Sequence, residues 1–380
     1  MMSAFPEIMV SLTIQCTFVL LLTRFLVRRA GNSIAADRLW SCGHLMILLL
    51  SLAGVLLPHP RLFRSESLLD LCHKATMFPI SQSFWTTVFW TWISVAFVLT
   101  VNLLRSLTQI SLMLRNAEQV PIQLPADADV EHVSPDNGSG GSLVPSAELF
   151  HTFDVRILTA KSCLSPFCWQ LHQPAIVLPG SVTRFPDEEL SAVVRHELAH
   201  LQLRHPLMLF LQRLVEIGFW FHPLVWRASA AAATQRELAA DRTANRNAAE
   251  VAAFLRCLLR CSVPSSSAPL VLPIGLTLFT RDASTLKQRV EQLLAIDWTR
   301  YGRSAAPVEI SRLPDKKRLL VGVSILMAAF WIPLNSQATG RTFFSPWPSS
   351  TATLLQEIGI SVRDYELDSH RVWGQLHAED

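Results

Sequence analysis

The sequence predicts a mainly α, multi-span membrane protein with an α+β domain inserted between its third and fourth transmembrane helices. Three observations lead there. Half of the 380 residues are hydrophobic and only 17% are charged, against roughly 25% in ordinary soluble domains. Three apolar runs of membrane-spanning length crowd into residues 1–105, and a shorter one follows residue 318. Between them lies a more polar segment, punctuated by proline, that alternates strand-like and helix-like patterns. Mean hydropathy is +0.30.

The first span is expected over Ile8 to Val27, interrupted by Gln15 and by Arg24, which lies near enough to the end to reach the headgroups. The second covers Leu39 to Leu57 and contains His44. The third covers Phe84 to Leu104, with Trp and Phe near its start where an interfacial belt would lie. The fourth and shortest is Leu319 to Leu334. Arg28, Arg29 and Arg38 follow the first span, Arg105 and Arg115 follow the third, and Lys316, Lys317 and Arg318 precede the fourth. Because Lys and Arg collect on the cytoplasmic side, this order predicts an outside N-terminus, a cytoplasmic central domain and an outside C-terminus in the inner (cytoplasmic) membrane. The second loop dissents mildly, with Arg61, Arg64 and Lys74 against Glu66 and Asp70. A first span with its arginines behind it reads as a retained anchor rather than a signal peptide.

The expected units are three transmembrane helices over 1–105, a flexible linker over 106–150, a cytoplasmic domain over 151–318, a fourth helix over 319–337 and a short outside tail over 338–380. The linker is marked by Asn137-Gly138-Ser139-Gly140-Gly141-Ser142. Val155 to Leu158 and Ala175 to Leu178 read as strands. Pro186 and the acids Asp187, Glu188 and Glu189 mark a helix start, and Pro206 its end. Leu207 to Trp226 is apolar but holds Gln212, Arg213 and Glu216, so it is expected to be buried in the protein or to dip into the interface. An alanine-rich helix, Ala228 to Ala244, comes next. A loop over Ser262 to Pro273 and a polar amphipathic helix over Ala283 to Ile296 complete the domain.

The chemistry rests on His196-Glu197-Leu198-Ala199-His200. On a helix, i and i+4 share a face, so His196 and His200 can hold one metal ion while Glu197 points toward the open position. Glu237 can complete a set of two histidines and one glutamate, which is a catalytic zinc arrangement rather than a structural one. Asp241, one turn on, can accept a hydrogen bond from a ligand histidine. The inserted unit is then a zincin-like α+β metallopeptidase domain with one Zn2+, in which Glu197 acts as the base. The net charge of +3, with no basic run interleaved with aromatics, argues against direct nucleic-acid binding. The seven cysteines are scattered, with Cys163 and Cys168, and Cys257 and Cys261, in close pairs that are expected to be free thiols.

These residues carry a resemblance. Ser165-Pro166, Pro174 to Pro179, the histidine motif, Trp220 to Trp226 and Arg236-Glu237-Leu238-Ala239-Ala240-Asp241, behind three N-terminal spans, resemble the BlaR/MecR-type membrane metallopeptidases, the transducer half of beta-lactam sensors, over residues 1 to 335. The resemblance implies zinc on His196, His200 and Glu237. It further implies a signalling endopeptidase that cuts itself or a cytoplasmic regulator such as a transcriptional repressor. The pattern usually has Asn where His222 stands and often Asp where His205 stands, so His222 is a candidate for a transition-state contact or for packing. The tail after residue 337 has no Ser-x-x-Lys motif and is short for a penicillin-binding sensor, so beta-lactam sensing is not expected. The alternatives are a housekeeping quality-control metalloprotease of the membrane and a non-catalytic signalling scaffold. The expected partners are the lipid bilayer and a cytoplasmic protein substrate, with a homodimer left open.

Overall fold

A computed structural model describes residues 5–58, 82–119, 155–160, 163, 165–171, 173–262, 283–298, 314–328 and 347–362. The expected Asn137–Ser142 linker, the loop over 263–273, Cys72 and the last residues of the fourth span, 329–334, lie outside these.

The described chain is mainly α. Helices α1 (Phe5–Arg28), α2 (Ser33–Leu56) and α3 (Gln82–Arg115) are each long and apolar enough to cross a bilayer. The start of α2 is set by Asn32, whose backbone is extended and whose side-chain Oδ1 accepts from the amide of Ala35 at 2.7 Å, an ordinary N-cap. α1 and α2 approach closely at Gly43, where a Cβ would lie 2.6 Å from Thr23 Oγ1. Their shared core, with Leu12, Val19, Leu39, Trp40 and Ile47, continues into Val215 and Val225 of the following domain and into Leu320 of α9 (Pro314–Ala328). Lys316 of α9 donates to the carbonyl of Arg29, so two of the basic clusters lie at the same end of the bundle.

α3 departs from expectation. Residues 106–115, expected to begin a linker, continue the helix, which at 34 residues is about 51 Å long and outruns any bilayer core. Hydropathy falls after Leu104, but Leu103, Leu107, Ile110 and Leu114 keep helical spacing and pack on a sheet. The sheet runs β1 (Glu118–Gln119), β2 (Arg156–Ala160), β4 (Ala175–Pro179), β3 (Phe167–Trp169) in spatial order. β2 and β4 are parallel; β1 and β3 flank them antiparallel. β4 is buried along its whole length because both its faces are covered. Ala175 and Val177 face α3, while Ile176 and Leu178 face α4 (Asp187–Gln202).

The apolar stretch after α4 is not one helix. α5 (His205–Gly218) and α6 (Pro223–Ala244) are separated by Phe219 to His222. Gln212 and Glu216 of α5 are buried and bonded to each other at 2.9 Å, in keeping with a helix enclosed by protein. α4 ends at Gln202 rather than at Pro206; Arg204 takes a left-handed conformation (φ 58°) and Pro206 sits in the first turn of α5, where its missing N–H costs nothing. α7 (Ala248–Ser262) and α8 (Ala283–Ala295) close over α4 and α6. A last helix, α10 (Ser349–Glu357), buries Ala352 and bonds Thr351 Oγ1 to the carbonyl of Leu56, at the far end of α2, at 2.9 Å.

Candidate metal centre

α4 is held against the sheet by Leu190, Val193, Val194, Leu198 and Leu201. Its acidic first turn meets the positive end of its own dipole, and Glu189 is further paired with Arg260 of α7 at 3.2 Å. On the other flank Ala199 packs against Ala240 and Ala244 of α6. Small side chains at a helix crossing let the backbones come close. That closeness brings Glu237, one turn before Asp241 on α6, against the two histidines of α4.

The three expected ligands converge. His196 Nε2 and His200 Nε2 are 3.1 Å apart, and the Glu237 carboxylate oxygens lie 3.6 Å from the first and 3.7 Å from the second. Among the described residues these alone form a buried group of three potential ligands. Zinc with ligand bonds of 2.0–2.1 Å in tetrahedral array needs donors about 3.3 Å apart, so the donor set fits a single ion of that size.

The remaining ring nitrogens are also provided for. His196 Nδ1 is 3.1 Å from Asp241 Oδ1, and His200 Nδ1 is 2.7 Å from His205 Nδ1. Asp241, expected from the sequence to accept from a candidate ligand histidine, lies next to His196. Residues the sequence reading did not single out complete the shell. Arg289 of α8 binds Asp241 through Nε and Nη2, each at 2.7 Å, and reaches Glu237 Oε2 at 3.2 Å through Nη1. Phe254 of α7 stacks on His196 and lies beneath the Arg289 guanidinium. Asp37 of α2 meets His205 Nε2 at 3.2 Å. No local pattern announces any of them, because their partners are distant in sequence.

Burial dominates the electrostatics. It pushes the Glu197 carboxyl up to about 7, against the nearby His196 and with the charge of Glu237. Among the described residues neither oxygen of Glu197 has a well-formed hydrogen bond, although the residue is fully buried. Buried carboxylates without partners are rare outside functional sites. Burial disfavours the charged form of His196, but Asp241 and Glu237 outweigh it and lift its pKa to about 9. Burial, with the neighbouring His196 and His205, holds His200 well below the usual imidazole range. Burial and the charges of Glu197 and Glu237 hold the Cys168 thiol well above its ordinary range, so it stays a thiol. Cys163, Cys168 and Cys257, expected to be free thiols, form no disulfide among the described residues, nor do Cys16 and Cys42.

His222 is not in this group. It caps α6, its Nδ1 accepting from the amide of Leu224 at 3.2 Å, while Nε2 meets Thr17 of α1 at 2.9 Å. Of its two expected roles, the packing one matches these contacts.

Comparison with known proteins agrees with this geometry over a narrower range than residues 1 to 335. Residues 147–293 match the family described as BlaR1 peptidase M56. The regulatory protein BlaR1 of Bacillus licheniformis is 34% identical over 101 residues, which cover 24% of this chain and 17% of that protein. The two apolar strands, the histidine helix and the Glu237 helix all lie inside the family match. Residues 147–293 are thus similar to the BlaR1-type M56 peptidase domain, in a chain with three helices long and apolar enough to cross a membrane.

Proposed function

We propose that the chain is a zinc-dependent endopeptidase of a membrane signalling pathway, with Zn2+ on His196, His200 and Glu237 and with Glu197 as the general base. The observation that carries this reading is the convergence of three buried donors beside the buried carboxylate of Glu197, which has no well-formed hydrogen bond among the described residues. Zinc held there would supply Lewis acidity toward a substrate carbonyl and toward water. Glu197, with a carboxyl near pH 7, is poised to take a proton from the attacking water and pass it to the leaving amide nitrogen. Asp241 and Arg289 hold His196 and Glu237 in place.

We place the domain in the cytoplasm. Arg28 and Arg29 at the end of α1, and Lys316 to Arg318 at the start of α9, are basic and lie at one end of the bundle. Asp37, in the second turn of α2, belongs to that end and touches the shell of the metal centre. Positive charge marks the cytoplasmic side. The substrate is then this chain itself or a cytoplasmic regulator such as a repressor.

An extended substrate segment would pair with the free edge of β3. β4 has both edges taken by β2 and β3, and β2 lies between β4 and β1, so neither has a fully open edge. β3 borders α4 and leaves its outer edge unpaired by the described strands.

Mapping of new protein N-termini in cells that express wild type or Glu197→Gln tests the function. Termini that appear only with wild type, in cytoplasmic proteins or in this chain, are the expected result. Identical termini with both forms would overturn it.

A further inference from the structure

The contact that the proposed reaction leaves unused joins the metal centre to the membrane bundle. His200 Nδ1 lies 2.7 Å from His205 Nδ1, and His205 Nε2 lies 3.2 Å from Asp37 Oδ2. All three side chains are buried, with at most 2% of each residue exposed. His205 and Asp37 are 168 positions apart, and Asp37 belongs to a helix long enough to span the membrane. The turn that aims His205 back at His200 passes through Arg204 at φ 58°. A non-glycine residue rarely adopts this left-handed conformation, so the backbone is held in a strained form at the point that makes this contact.

Proton placement along the chain of three has a direction. Two imidazole nitrogens at 2.7 Å need one N–H and one lone pair between them. A carboxylate only accepts, so Asp37 calls for the proton of neutral His205 on Nε2. His205 Nδ1 is then a lone pair and accepts from His200 Nδ1–H. His200 is left with its lone pair on Nε2, the atom that faces His196 and Glu237. In the opposite arrangement His205 Nδ1–H would donate to His200, whose proton would move to Nε2 and close that atom to a metal.

We propose that Asp37, on the second membrane helix, is a positioning residue for the metal ligand His200: acting through His205, it fixes the histidine tautomer that can bind metal. The proposal rests on the reading of His200 as a ligand. It makes the N-terminal part of α2 an element of the metal centre, so that a shift of this helix away from His205 releases the ligand tautomer.

The test measures Zn2+ affinity of the purified full chain by competition with a chelating dye, and the visible spectrum of the Co2+-loaded protein. Asp37→Ala removes the acceptor. Asp37→Asn keeps the shape but offers His205 a donor as well as an acceptor. Both are expected to bind Zn2+ about 10–100-fold more weakly, the usual effect of removing a group that orients a ligand histidine, and to alter the Co2+ spectrum. Asp37→Glu is expected to recover most of the affinity. Ser33→Ala deletes another buried contact of α2, from Ser33 Oγ to the carbonyl of Leu238 at 3.2 Å, which does not touch His205; it is expected to bind Zn2+ as wild type does. Asp37→Asn with wild-type affinity and an unchanged Co2+ spectrum would overturn the proposal. So would an equal loss in Ser33→Ala, which would make the effect one of packing. His200→Ala separates the two levels of the argument: if it keeps full Zn2+ affinity, the ligand assignment itself fails, whereas its loss together with an unaffected Asp37→Asn defeats only the role of Asp37.

Discussion

Arg289 grips both oxygens of Asp241 at 2.7 Å from a different helix, 48 positions away, and the same guanidinium stands 3.2 Å from Glu237. One buried cation thus serves two buried carboxylates, one of them a proposed metal ligand. Arg289→Met should leave the two carboxylates with only His196 to offset them and destabilise the metal-free protein by about 3–5 kcal/mol, the usual effect of removing one partner of a buried ion pair. Zn2+ should recover part of the loss, because it brings positive charge to Glu237. Thermal unfolding with Zn2+ and with a chelator checks this; equal losses under both conditions would contradict it.

The metal-free protein should lose stability as pH rises above neutrality. The Glu197 carboxyl is raised from 4.5 to about 7 and His196 from 6.5 to about 9. A group whose folded pKa is raised contributes stability below its unfolded value and loses it through the folded value. The two windows, 4.5 to 7 and 6.5 to 9, adjoin on the alkaline side. Asp241 runs the other way: burial opposes its charge, but Arg289 outweighs burial and holds it below 3.8, so its contribution is lost only in stronger acid. His200 and His205, both held below 6.5 by burial, oppose Glu197 below neutrality, so unfolding midpoints in chelator should fall from about pH 7 to pH 9; a rise across that range would contradict the assignment.

Metal binding near neutral pH should release protons, because His196 must give up its own before Nε2 can act as a ligand. Calorimetric titration of Zn2+ in buffers of different ionisation enthalpy reads the number directly. Binding without proton release would show that His196 is already neutral in the metal-free protein.

Val177→Pro should unfold the domain rather than weaken substrate binding alone. Val177 sits in β4 between Leu158 and Phe167, fully buried, and proline there removes a donor from an inner strand. Metal content and peptidase activity should fall together, with a lower unfolding temperature. Retention of the fold with a selective rise in KM would instead place substrate on β4.

Deletion of residues 340–380 should leave Zn2+ content and basal cleavage unchanged. The described part of this tail touches the protein at Leu56, the opposite end of α2 from Asp37. Loss of metal in a folded truncated protein would show that the tail supports the centre.

What was legible in the sequence is what local spacing encodes. The three spans are continuous apolar runs, β2 and β4 are short apolar runs between turn residues, and His196 and His200 are one helical turn apart. Glu237 and Asp241 were legible as one face of the next long helix but one. Arg289, His205 and Asp37 were not, since each acts through a partner that only the tertiary packing supplies. The extension of α3 was missed because falling hydropathy ends a span without ending a helix. The end of α4 was misplaced by four residues because Pro206 also suits the first turn of a helix, and the reversal at Arg204 is made by a residue type that gives no turn signal.

The central claim is that Glu197 performs proteolysis at a centre it does not help to hold. Cleavage of a quenched fluorescent peptide library by wild type and Glu197→Gln, matched for metal content, tests it most directly. The expected result is one Zn2+ per chain in both proteins and a rate about 10²–10⁴-fold lower in Glu197→Gln, the usual contribution of a general base. Equal rates at equal metal content would contradict the account.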